Sequence, residues 1–142
     1  ILALGYKKKT YFISSFYRYV WIGHTGVVTP CHYDYFQNFY HQIHGRKRFL
    51  IFPPELHVEL DLYPALHPAH RSAQVTLEPL PHSSIKRSAS LLQTSPPLEA
   101  LEVTLEPGDV LFIPALWFHQ VETLDPLTLS VNVWSEHAEV DR

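Results

Sequence analysis

At 142 residues with 46% hydrophobic and 13% aromatic side chains, the chain can bury a sizeable core, which excludes disorder as the default reading. A net charge of −3, with ten histidines counted as neutral, excludes both a nucleic-acid-coating protein and an acidic tail. The single cysteine, Cys31, excludes an internal disulfide and suits a reducing compartment; no apolar run approaches the roughly 20 residues that span a bilayer, and no signal-peptide pattern opens the chain.

Residues 11–23 are rich in aromatic and β-branched side chains and read as one or two strands ending at Gly23. Residues 27–33 read as the next strand. Residues 38–44 and 47–52 follow, separated by Gly45 and closed by Pro53-Pro54, with a short helix expected near 53–56. Residues 63–100 change character: Pro, His and Ser dominate, Lys86-Arg87 stands among them, and the strand pattern is interrupted. A loop of that length is uncommon unless functional or disordered, and the expectation is an insertion loop over one mouth of a barrel. Strand signals resume at 101–105, 110–113, 119–123 and 128–134, punctuated by Pro107-Gly108 and Pro126. About eight short strands joined by turns predict an all-β sandwich or barrel. The chain opens at Ile1 rather than methionine, and the expectation is one domain, 1–142, drawn from a longer protein.

The second of these strands carries His32-Tyr33-Asp34. Period-2 geometry turns His32 and Asp34 toward one face and Tyr33 toward the other. His119, in Pro114-Ala115-Leu116-Trp117-Phe118-His119, supplies a second imidazole from a distant strand. Two imidazoles and one carboxylate form the ligand set of a non-haem iron site, which leaves metal positions open for chemistry. The three residues meet only if the sheet folds back on itself. Zinc hydrolases use the same donors, so zinc is the competing metal.

Around the HxD the sequence reads Trp21-Ile-Gly-His-Thr-Gly-Val-Val-Thr29-Pro-Cys-His32-Tyr-Asp34, followed by Asn38-Phe-Tyr40-His-Gln42 and Arg46-Lys47-Arg48-Phe49. Glu106-Pro-Gly108-Asp precedes the His119 segment, and Ser130-Val-Asn132-Val-Trp134 ends it. In this order the motifs resemble the JmjC-domain (cupin-like) family of Fe(II)- and 2-oxoglutarate-dependent oxygenases. The likeness is to its small hydroxylase branch, which includes the asparaginyl hydroxylase inhibiting hypoxia-inducible factor and the tRNA wybutosine-synthesis hydroxylase. The resemblance covers about residues 19–134, without the insertion. It implies a double-stranded β-helix (jelly-roll) of eight strands, in agreement with the count above. It implies that His32, Asp34 and His119 are the catalytic iron ligands. Thr29 and Lys47 match positions that hold the distal carboxylate of 2-oxoglutarate, and Asn38 and Asn132 match polar residues lining its pocket. The implied reaction consumes O2, converts 2-oxoglutarate to succinate and CO2, and hydroxylates a C–H bond.

Strand physics supports these roles. Asn38, Tyr40 and Gln42 share one face, and Lys47 shares its face with Phe49 and Ile51, where a buried ammonium is costly without an anionic partner. The resemblance also implies a further pocket tyrosine, which the family often supplies from upstream sequence; either Tyr40 substitutes for it or it lies outside this chain. The other histidine pairs, His41 with His44 and His67 with His70, lack a carboxylate on a common face and read as surface residues. Cys31 should point away from His32 as a packed thiol, Lys7-Lys8-Lys9 reads as a solvated terminus, and Trp117 and Trp134 read as packing residues, Trp134 on Asn132's face.

The expected substrate is a protein or peptide side chain. A modified tRNA base ranks behind it, weakened by the lack of a basic face, and histone lysine demethylation and a non-catalytic binding module rank lower still. No membrane contact is expected. Dimerisation is expected through elements outside this chain, in an intracellular setting, cytoplasmic and/or nuclear. Because ligation needs neutral imidazoles, metal binding is expected to weaken through the histidine range.

Overall fold

Aromatic and β-branched runs become strands almost where the sequence marks them. The computed structural model describes residues 16–75, 77–79, 84–87 and 98–135. The first four strands are β1 (Phe16–Gly23), β2 (Val28–Tyr33), β3 (Gln37–His44) and β4 (Lys47–Phe52). A single 3-10 turn at Pro54–His57 follows, with Pro54 opening it, as the helix signal near 53–56 predicts. Then come β5 (Leu77–Pro79), β6 (Ser84–Arg87), β7 (Leu98–Glu99), β8 (Leu101–Leu105), β9 (Val110–Ile113), β10 (Phe118–Thr123) and β11 (Thr128–Ser135). Residues 11–15 of the first expected strand and Lys7-Lys8-Lys9 lie outside the described residues. Among the described residues no helix is long and apolar enough to cross a membrane.

The eight strands anticipated from sequence form two antiparallel four-stranded sheets, ordered β1-β11-β3-β9 and β2-β10-β4-β8. This is the jelly-roll of a double-stranded β-helix. Between the sheets, Tyr40, Phe49, Ile51, Leu105 and Ile113 form one buried cluster. Leu50 and Phe52, which alternate with Phe49 and Ile51 on β4, belong to a second cluster with Cys31, Leu60, Phe118, Val75, Leu77 and Leu98. β4 is therefore buried on both faces, which explains its unbroken apolar run.

The second cluster draws on residues 63–100, expected as an insertion loop. Where described, this segment contains β5, β6 and β7, which pair antiparallel into a small third sheet. It also lends Ala73, Val75, Leu77 and Leu98 to the core on the back of the β2-β10-β4-β8 sheet. The apolar residues are too sparse among prolines and serines to show a period, and burial rather than propensity recruits them.

The turn between β3 and β4 needs glycine. Gly45 has φ of 66°, and a Cβ there would stand 2.4 Å from the Leu127 carbonyl oxygen. Gln42, on the face expected for a pocket residue, spends its amide here instead, donating to His44 O and Gly45 O at 2.7 and 2.8 Å.

Candidate metal centre

β2 and β10 pair antiparallel with His32 directly opposite His119, so neighbouring strands put the two imidazoles on one sheet face. Their rings lie 4.4 Å apart. Below this pair the register slips: Thr29 pairs with Val121, so β2 runs three residues where β10 runs two. This bulge falls at Pro30-Cys31, where proline has no N–H to leave unpaired. It lets Thr29 and His32, three apart in sequence, line the same cavity while Cys31 packs into the core behind at 1% exposure. Burial pushes the Cys31 thiol up to about 12, as expected for an inert packed residue.

Both candidate ligand histidines are oriented by backbone carbonyls. His32 Nδ1–H donates to Pro30 O at 2.8 Å, and His119 Nδ1–H donates to Trp117 O at 3.1 Å. A carbonyl can only accept, so the proton sits on Nδ1 and each Nε2 keeps a lone pair for a metal. Asp34 Oδ2 lies 3.9 Å from His32 Nε2 and 3.7 Å from His119 Nε2. One donor atom from each of the three residues falls within 4.8 Å of the others. Donors bound about 2.1 Å from a shared ion stand roughly 3 to 3.5 Å apart, so these separations need to shorten by less than about 2 Å for the set to close on a metal. His119 is held down to about 4 by burial first and by the neighbouring His32 second, with the Trp117 carbonyl and Asp34 opposing. It is therefore neutral and ready to ligate well below the ordinary histidine range. The expected pH limit on ligation thus moves down for this residue.

Asp34 is itself buried. Its Oδ1 accepts from Arg71 Nη1 at 2.9 Å, and its backbone carbonyl accepts from Leu116 N–H at 2.8 Å. Leu116 adopts φ of 68°, a conformation rare for a branched side chain. The strained turn that leads into His119 is thus tied to the strand end that carries Asp34.

A cavity of about 250 Å³ opens beside His32, Asp34 and His119, and Thr29, Asn38, Tyr40, Lys47, Asn132 and Trp134 all line it. Lys47 is 6% exposed, and burial lowers its pKa. Its ammonium donates to Tyr40 Oη at 2.8 Å and to Ser130 Oγ at 3.1 Å. Among the described residues no carboxylate lies within ion-pair distance of it, and no bond joins it to Thr29. Asn132 accepts from Trp21 Nε1 at 3.1 Å. Asn38 Oδ1 and Trp134 Nε1 are buried without a partner among the described residues. A buried cation without a counter-ion among the described residues, and two orphaned polar atoms around one cavity, are the marks of a site suited to a polar, anionic ligand.

The structure thus brings together every residue singled out from sequence: His32, Asp34 and His119, with Thr29, Asn38, Lys47 and Asn132 around them. Tyr40 takes the candidate tyrosine's place beside the lysine. His41, His44 and His67 are exposed and His70 is half-buried, all outside the centre. Trp134 lines the cavity rather than only packing the barrel, whereas Trp117 packs against the inter-sheet core. Sequence reasoning missed Ser130, Trp21 and Arg71. Ser130 lies two residues before Asn132 on the same strand face, so its signal was available. Arg71 sits in irregular chain, where no periodicity marks it.

The family model of the cupin-like domain matches residues 8–139 of this chain. The chain belongs to the cupin-like domain family. The JmjC kinship read from the motifs holds for this cupin-like domain. HSPB1-associated protein 1 of Homo sapiens is 40% identical over 121 residues, covering 84% of this chain and 24% of that protein. Lysine-specific demethylase JMJ31 of Arabidopsis thaliana is 34% identical over 114 residues, 80% of this chain and 20% of that protein. tRNA wybutosine-synthesizing protein 4 of Gibberella zeae is 36% identical over 108 residues, 76% of this chain and 9% of that protein. The chain spans about a quarter or less of the length of these relatives. Among solved structures, YcfD of Escherichia coli, named a ribosomal oxygenase, shares the fold at 17% identity and a TM-score of 0.50, over 85% of this chain and 23% of that one.

Proposed function

We propose that this cupin-like domain is an Fe(II)- and 2-oxoglutarate-dependent dioxygenase that hydroxylates a protein or peptide side chain. The observation that carries the reading is Lys47: a buried ammonium, without an acidic partner among the described residues, in the cavity that adjoins His32, Asp34 and His119. A dicarboxylate cosubstrate supplies the counter-charge that this ammonium otherwise lacks among the described residues.

His32 and His119 through Nε2, and Asp34 through Oδ2, would hold the metal. The bound iron and 2-oxoglutarate would supply the oxidising power for hydroxylation, with succinate and CO2 as co-products. The chain's own part is binding and orientation. Pro30 O and Trp117 O hold the proton of each imidazole on Nδ1 and aim Nε2 at the centre. Lys47, Tyr40, Ser130 and Thr29 receive the distal carboxylate, and Asn38 Oδ1 and Trp134 Nε1 offer an unused acceptor and donor to what enters above it.

A protein substrate is favoured over a tRNA by the state of the basic side chains. Arg46 pairs with Asp125, Arg48 with Glu102 and Glu122, and Arg71 with Asp34, while Lys47 is buried. These four side chains are thereby withdrawn from phosphate contacts. The names of two relatives keep lysine demethylation and tRNA-base hydroxylation as second readings. The setting proposed is intracellular, cytoplasmic and/or nuclear, with any homodimer formed through sequence outside this chain. Incubation of the full chain with Fe(II), 2-oxoglutarate and O2 against peptide and tRNA pools, scored by mass gain of one oxygen, tests the substrate class. Oxygen transfer to peptides supports it; oxygen transfer to tRNA alone, or demethylation alone, overturns it.

A further inference from the structure

β2 has two edges. One pairs with β10 and so faces His119. The other is covered by residues 71–73 of the segment expected to be a loop. Tyr33 N–H donates to Arg71 O at 3.1 Å, Ala73 N–H donates to Cys31 O at 2.8 Å, and Ser72 bridges His32. The strand position of His32 is thereby fixed from both sides. The same strap delivers Arg71 to Asp34, with Nη1 at 2.9 Å from Oδ1 and a longer contact of 3.5 Å to Tyr33 O. The guanidinium stands 5.8 Å from the Tyr35 ring centroid, which limits where it can swing. The two oxygens of Asp34 therefore face different ways: Oδ1 toward Arg71, Oδ2 toward both imidazole Nε2 atoms.

We propose that Arg71 is a positioning residue of the metal centre, which ties up Oδ1 so that Asp34 offers a metal one oxygen rather than two. The inference rests on the metal-centre reading above. Its consequence concerns the open positions. A carboxylate binding through both oxygens would occupy a position that a facial triad leaves free for cosubstrate and oxygen. Arg71 is suited to prevent this, because its planar fork fixes direction as well as charge, which a lysine ammonium does not. Its side chain is 41% exposed, so solvent screens much of its attraction for Asp34, and direction is what it contributes. Metal geometry then depends on the docking of residues 71–73, a connection invisible in a picture of the segment as a cover over the barrel.

The test uses Co(II) as the probe on the full chain, reading its affinity by competition and its visible d–d spectrum. Four proteins are compared: wild type, Arg71→Met, Arg71→Lys and Gln74→Ala. Gln74 donates to Leu62 O at 3.2 Å and so steadies the strap without touching Asp34. Arg71→Met is expected to lose roughly 10- to 100-fold in Co(II) affinity, the usual range for removing a partner that orients a ligand, and to change the d–d spectrum. Arg71→Lys, which keeps the charge and is the safer variant for folding, should recover only part of both. Gln74→Ala should match the wild type. Arg71 variants that are folded by circular dichroism and keep wild-type affinity and spectrum would overturn the role. So would a Gln74→Ala protein as impaired as Arg71→Met, since strap stability alone would then explain the loss. Failure of the wild type itself to bind Co(II) would overturn the metal-centre reading instead, and the two failures are told apart.

Discussion

Replacing Lys47 with methionine separates what the lysine does for the fold from what it does for a ligand. Lys47 is 6% exposed, its pKa is lowered by burial, and among the described residues its ammonium bonds to Tyr40 Oη and Ser130 Oγ. Those two hydroxyls also bond to each other, so neither is orphaned when the lysine goes. Methionine fills a similar volume, and exchanging buried charged groups for apolar ones of like size is neutral or stabilising by about 1–4 kcal/mol. The ligand-free chain should therefore unfold no earlier than the wild type. Affinity for 2-oxoglutarate should move the other way. A charged hydrogen bond contributes about 1.5–3 kcal/mol, which at about 1.4 kcal/mol per tenfold is a loss of roughly 10- to 150-fold. Thermal unfolding in Co(II) across a 2-oxoglutarate series measures both at once, because the stabilisation grows as RT ln(1 + [L]/Kd). A Lys47→Met protein with the wild-type 2-oxoglutarate response, or one whose ligand-free form is destabilised by about 2 kcal/mol or more, would refute the reasoning.

Two other perturbations probe the scaffold. Gly45→Ala forces a Cβ to within 2.4 Å of Leu127 O at a φ of 66°, so it should destabilise by about 1–3 kcal/mol or more, read as a lowered urea midpoint; Gly108→Ala, with a φ of 101° but open space around it, should cost about 1 kcal/mol. In the metal-free chain His119 is held down to about 4 against an ordinary 6.5, so between these values the unfolded chain carries more protons than the folded one. Stability should then fall as pH drops from about 6.5 to about 4, by roughly 3 kcal/mol, and level off below; a His119→Gln variant with the same pH slope in urea melts would show that this histidine is not the cause.

Much of this architecture is legible in sequence because strands report themselves through period 2. The HxD puts His32 and Asp34 on one face, and alternation along β3 and β4 puts Asn38, Tyr40 and Lys47 inside. What period 2 cannot show is where it breaks. The bulge at Pro30-Cys31 is what brings Thr29 and His32 to one side, and only the register against β10 reveals it. The core residues of the 63–100 segment carry no local period either, because they are spaced by contact with the back of a sheet. Arg71 was invisible for the same reason: its role comes from a backbone bridge to His32, a pairing that no spacing in the chain announces.

The most direct test of the account is an anaerobic titration of the full chain with Fe(II) and 2-oxoglutarate, followed by admission of O2. The expected result is a visible metal-to-ligand charge-transfer band that needs both additions and is absent in Asp34→Ala, then succinate formation once O2 enters. A folded wild-type chain that develops no band, or an Asp34→Ala protein that develops the same one, would contradict it.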